Sequence, residues 1–366
     1  MQLIFFIFMA FMPAFAFCAP LVSGVSGTVF DGQDITVTGE NFGVTGPTVH
    51  FFDNFENGIA GNTINTGPAS AVTGQWASLN TVPPVYSTRT AVSGMQAFEV
   101  TSQEGVEGQT NGVIALPDAT ETFISWWCYV PVNSPWSGED TQLNWKIMWL
   151  MRYNSADNDL YFAQLIDSST YVMGGNNSPL AYPDTEPWKS SHMKKGQWHR
   201  YWWWIRDGYS NDGFIKIWEL TDNGVAQVKN VANKTTLFPL AVRKILCVNG
   251  YTREQTGIQS TQLFDDVYVS IGSCAQARCE LGNTAAYQNC TNITVATVNT
   301  WSDKKIVATV RQGAFEEGES VYLFVVDSEG NYSSGYGPLN ISREPIPLDM
   351  LTDSNVPSVP QGLTIR

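Results

Sequence analysis

Along most of this chain apolar and polar residues alternate with a period of two, the repeat of strands that bury one face, and short groups of Gly, Asn, Asp, Ser and Pro separate the alternating runs. The strongest runs are Thr122 to Pro131 (TFISWWCYVP), Leu143 to Tyr153 (LNWKIMWLMRY), Trp198 to Asp207 (WHRYWWWIRD), Gly213 to Leu220 (GFIKIWEL) and Leu263 to Ile271 (LFDDVYVSI). No amphipathic helix longer than two turns is predicted, so the chain is expected to be all-β. Past residue 272 the runs become shorter and less aromatic, and residues 344–366, rich in Pro and Ser, are expected to form a C-terminal tail.

Near the N-terminus, Gly32 to Gly43 (GQDITVTGENFG) alternates Ile35 and Val37 with Thr36 and Thr38, then supplies Gly39, Asn41 and Gly43 for a turn with positive φ. A lone hairpin is marginal in water, so this strand needs partners from elsewhere in the chain. The stretch ITVTGENFG, taken with the distant VNTWSDKKIVATVRQGAFEEGESVYLFVVDSEGNYSSGYGPLNI, resembles the IPT/TIG immunoglobulin-like domain. That resemblance implies a split domain, begun by residues 20–51 and completed by 277–343, with everything between inserted at a loop. The intervening residues, 52–273, resemble the concanavalin A-like jelly rolls of lectins, laminin G modules and polysaccharide-degrading enzymes, through FFDNFENG, GQWHRYWWWI, DGFIKIWEL and LFDDVYVS. The fold expectation is therefore a jelly-roll β-sandwich inserted into, or flanked by, an immunoglobulin-like β-sandwich.

Composition narrows the function classes. With 43% hydrophobic and 13% aromatic residues the chain folds, and 34 acids against 20 bases (net charge -14) argue against nucleic acid or an anionic membrane as partner of the whole surface. Residues 1–16 are read as a secretory signal peptide, and no second apolar run of that length follows, so the protein is expected to be secreted or at the cell surface with no membrane span. Six cysteines suit an oxidising compartment, and the turn-forming sequence between Cys279 and Cys290 favours a disulfide between those two; pairing of Cys18, Cys128, Cys247 and Cys274 stays open.

Candidate chemistry lies in the insert. Asp53, Glu56 and Asp265 mark its first and last strands, which neighbour each other in jelly rolls, so they are candidate ligands of a structural Ca2+. Lys146, Arg152, Arg200, Trp202, Trp204, Arg206 and Lys216 fall on single faces of their strands by strict alternation. If those faces are wet they form a basic aromatic trough, suited to stacking on sugar rings and gripping carboxylates or sulfates. The expected function is a non-catalytic protein that binds an extracellular, acidic polysaccharide, with no catalytic residue assigned. The alternatives are a structural surface or virion protein and a jelly-roll enzyme. No close pair of strand acids suits a glycoside hydrolase, whereas a polysaccharide lyase would draw a base and a carboxylate-neutralising group from His199, Tyr201, Tyr153 and Arg152.

Overall fold

The structure is a computed structural model that describes residues 18–80, 82–103, 106, 112–135, 144–153, 158–166, 169–174, 193–208, 210–234, 243–253 and 259–342. The chain starts with β1 (Leu21–Ser26) and β2 (Asp34–Glu40), then crosses to a second body along β3 (Thr48–Asp53). That body continues through β4 (Ser78–Leu79), β5 (Val85–Ser87), β6 (Ala97–Thr101), β7 (Gly112–Leu116), β8 (Glu121–Tyr129), β9 (Asn144–Tyr153), β10 (Asn158–Ile166) and β11 (Ser169–Gly174). It is completed by β12 (Trp198–Arg206), β13 (Gly213–Thr221), β14 (Gly224–Lys234), β15 (Arg243–Arg253) and β16 (Thr261–Ile271). The chain then returns with β17 (Arg278–Gly282), a short 3-10 turn at Tyr287–Asn289, β18 (Ile293–Trp301), β19 (Lys305–Thr309), β20 (Ser320–Val326) and β21 (Tyr336–Asn340).

The molecule is all-β. Strands from the two ends of the chain share one seven-stranded sheet, ordered β1-β2-β19-β18-β17-β20-β21, and β2 pairs with β19 from Lys305↔Thr38 to Thr309↔Asp34. Around the first turn Trp301 donates its indole N–H to the carbonyl of Gly43 at 2.9 Å, and the Gly43 N–H donates to Asp303 Oδ1 at 3.1 Å. Ile35, Val37, Ile306, Ala308, Val321, Leu323 and Val325 close the core of this sandwich.

Between those ends lies a jelly-roll β-sandwich. A six-stranded sheet, β11-β10-β9-β15-β7-β4, faces an eight-stranded one, β14-β13-β12-β8-β16-β6-β5 with β3 added beside β16. Inward side chains of both sheets interdigitate, as the alternation requires. Ile124, Trp126, Tyr201, Trp203 and Ile205 come from the larger sheet, and Met148, Leu150, Leu246 and Val248 from the smaller. The Trp126 and Trp203 rings meet edge to face at 5.2 Å. Among the described residues no helix is long and apolar enough to cross a membrane.

Candidate functional site

On β12 the side chains of Arg200, Trp202 and Trp204 share one face, as the alternation expects, but that face is not wet. The seven-stranded sheet packs on it. Phe123, Trp127, Trp202, Trp204 and Tyr268 form one buried cluster with Ile293, Val295 and Phe324 of the other sandwich, leaving Arg200 2%, Trp202 1% and Trp204 2% exposed. Arg200 donates to Ser125 Oγ at 3.1 Å and to the carbonyl of Ile293, and its Nη2 lies 3.4 Å from Glu280 Oε1. Glu280 also accepts from the Trp202 indole at 3.3 Å and the Tyr287 hydroxyl at 2.7 Å, and it pairs with Arg278 at 2.9 Å. Burial pushes the Arg200 pKa down, and the Glu280 charge opposes that shift. Arg206 and Lys216 sit at the rim: Arg206 binds Glu121 at 2.7 Å, and the Lys216 ammonium lies 4.4 Å from the Trp204 ring centre.

Lys146 belongs to a different surface. In β9 the register shifts beside Lys146, and both Ile147 and Met148 are fully buried, so the parity of the strand changes there. Lys146 consequently shares its face with Trp149, its ammonium 5.6 Å from that ring, rather than with Met148 and Leu150. That face is the outer side of the six-stranded sheet, across the jelly roll from Arg200. Arg152 also lies on β9, and its side chain is outside the described residues. The six expected trough residues whose side chains are described therefore share no cleft.

Three further expectations are corrected. His199 and Tyr201 are 8% and 2% exposed on β12, whereas Arg152 and Tyr153 belong to β9 in the other sheet, so this set cannot act on one substrate. Asp53, Glu56 and Asp265 do not fit a Ca2+ site, because their oxygens accept from N–H groups. Asp53 takes the Trp76 indole at 2.8 Å and the Phe55 amide at 3.1 Å; Asp265 takes the amides of Val92 (2.7 Å), Ser93 (3.1 Å) and Asp266 (2.8 Å). Glu56 clamps the amides of Met95 and Gln96 at 2.8 and 2.6 Å, and among the described residues no group of three or more His, Cys, Asp or Glu could hold a metal ion. Cys279 and Cys290 are unbridged: Cys279 points into the core of its own sandwich, Cys290 into the cluster between the two.

The six-stranded sheet brings together a set that spacing does not reveal. Gln164 on β10 pairs with Tyr171 on β11 and with Lys146 on β9, and Lys146 pairs with Tyr251 on β15. Four adjacent strands thus place Tyr171, Gln164, Lys146 and Tyr251 in one row, and directly paired positions share a face. Asn144 and Arg253 make the next pair along, and an apolar floor of Val113, Met151, Ile245 and Cys247 with Trp149 continues the face on the other side.

No protein-family profile matches the chain, and no curated protein matches it. Among solved structures the chain is similar to an endo-β-1,4-glucuronan lyase from the fungus Trichoderma reesei (13% identity, TM-score 0.42, covering 59% of this chain and 98% of the other). It is similar to the alginate lyase Aly36B (14%, 0.44, covering 62% and 97%) and to the PL-14 alginate lyase of Aplysia kurodai (9%, 0.41, covering 58% and 100%). Arg200, Trp202 and Trp204, the centre of the trough that a binding role required, are sealed inside this protein, so the reading as a non-catalytic protein that binds a polysaccharide through them is corrected.

Proposed function

We propose that the protein is an exported polysaccharide lyase that cleaves a uronate-containing polymer on the outer face of its six-stranded sheet. One observation carries this reading: the row Tyr171, Gln164, Lys146, Tyr251 across β11, β10, β9 and β15. β-Elimination from a uronate needs a group that neutralises the carboxylate, a base for the C5 proton and an acid for the leaving oxygen. Lys146 and Gln164 hold the carboxylate at the centre of the row, which acidifies C5–H. Tyr251, at the position paired with Lys146, is the candidate base for that proton. The C4–O4 bond breaks as the C4=C5 bond forms, and the other tyrosine protonates the departing O4. Trp149 and the apolar floor supply a stacking surface beside the row.

In the same reading residues 1–16 are a signal peptide, and the seven-stranded sandwich is a split IPT/TIG-like domain that carries the jelly roll as its insert. The test is to incubate the full chain with alginate, polyglucuronate and polygalacturonate and follow the ultraviolet absorbance of unsaturated ends. Unsaturated product is expected on at least one polymer, with Lys146→Ala, Tyr171→Phe and Tyr251→Phe each losing about a hundredfold in turnover at unchanged unfolding temperature. Silence on all three polymers, or full activity in all three variants, overturns the proposal.

A further inference from the structure

The aromatic face of β12 is roofed at its centre but open at its end. Trp198, Arg200, Trp202 and Trp204 alternate along one side of the strand, and the second sandwich seals the last three. Beside Trp198 the roof stops at Thr291, and a cleft of about 110 Å³ opens along the seam between the two bodies, lined by Trp127, Trp198, Gln197, Thr221, Asp222 and Thr291. It lies on the eight-stranded sheet and shares no residue with the Lys146 row.

Two features make this cleft built rather than incidental. Its wall is held in place: the Trp198 indole donates to Thr90 Oγ1 at 3.2 Å, and the Trp198 ring packs on Tyr129 at 5.3 Å. Its polar rim sits on a tight hairpin. Thr221 donates to the Gly224 carbonyl at 2.8 Å and accepts from the Asn223 amide at 3.1 Å, which fixes the backbone on either side of Asp222. The hairpin tip is itself seated on the second sandwich, since a Cβ on Gly224, at φ 113°, would collide with the Gln288 carbonyl. The Asp222 carboxylate stays 83% exposed at the mouth, 3.3 Å from Lys194 Nζ.

We propose that this seam cleft binds a neutral sugar residue at a site separate from the lyase face. A fixed indole offers a surface for the apolar side of a pyranose ring, and the amide, hydroxyl and carboxylate groups of Gln197, Thr291 and Asp222 offer partners for its hydroxyls. The volume exceeds the ~30 Å³ share of one water several-fold, room for part of one ring rather than for a polymer backbone. Lys194 is paired with Asp222 and no Arg or Lys lines the cleft itself, so the cleft offers no clamp for a uronate carboxylate, and the sugar differs in charge from the substrate proposed for Lys146.

Calorimetric titration of the full chain with cellotetraose, xylotetraose, mannotetraose and a tetrauronate tests this, and its readout does not depend on turnover. One neutral oligosaccharide is expected to bind saturably. Asp222→Ala and Thr291→Ala should each weaken it about tenfold at unchanged unfolding temperature, and Trp198→Ala should abolish it. Should Trp198→Ala fail to fold, the two rim variants decide alone. No binding by any neutral oligosaccharide, binding of the tetrauronate only, or unweakened affinity in both rim variants overturns the proposal.

Discussion

Arg200 on β12 and Glu280 on β17 meet at 3.4 Å with side chains 2% and 0% exposed, and they join the jelly roll to the sandwich built from the two chain ends. A charge pair so placed is maintained by its whole hydrogen-bonded setting, including Trp202, Tyr287 and Arg278, because each ion alone would be too costly to desolvate. The two bodies are thus packed directly against each other across this contact.

Removing the carboxylate should show this. Glu280→Ala leaves two guanidinium groups buried without their counter-charge and is expected to cost about 3–5 kcal/mol in urea unfolding. By contrast Lys194→Ala, which breaks the exposed pair with Asp222, should cost about 1 kcal/mol or less. Equal losses in the two variants would mean that the interface charge pair is not the special one.

Trp202→Ala is expected to destabilise by about 3–5 kcal/mol, since its ring fills the cluster between the sandwiches. Differential scanning calorimetry should show a clear fall in unfolding temperature. An unchanged transition would mean that the ring is solvated and the two bodies do not pack on this face.

Buried carboxylates give the protein a distinctive pH dependence. Burial raises Asp53 from 3.8 to about 7, against the hydrogen bonds from Trp76 and Phe55, and raises Asp266 to about 6; Asp265 is raised too, first by burial and then by the Asp266 charge. In the folded chain these groups therefore hold their protons to higher pH than in the unfolded chain. Their contribution is full below pH 3.8 and is lost as pH rises through about 6 to 7. The unfolding free energy from urea titrations should fall between about pH 4 and pH 8, by on the order of 2–4 kcal/mol, with the midpoint moving to lower urea. Asp53→Asn, which keeps an acceptor for the Phe55 amide, should flatten the slope; a midpoint that instead rises over this range would contradict the assignment.

Cys279 and Cys290 are expected to react with an alkylating agent in denaturant without any reductant, each gaining one adduct by mass spectrometry. Recovery of the pair as an unalkylated cross-linked peptide would show that β17 and the turn before β18 pack differently.

Much of the architecture was legible in the chain. Ile35 and Val37 alternating with threonines mark β2, and the run from Trp198 to Arg206 marks β12, because a strand with one apolar side must repeat every second residue. The same rule could not say what covers each side. Both faces of β12 are buried, one by its own sandwich and one by a second body whose strands lie far along the chain, and alternation is blind to the difference. At Ile147 the rule itself fails, since one shift of register reverses the parity and moves Lys146 to the other surface.

Sequence by itself therefore determined the all-β class and the positions of the most aromatic strands, since these follow from local periodicity and turn chemistry. Tertiary structure alone decided which aromatic face meets solvent, that Cys279 and Cys290 lie on opposite sides of a strand, and that Tyr171, Gln164, Lys146 and Tyr251 form a row. Those outcomes depend on long-range pairing and on packing between bodies, which no local pattern encodes.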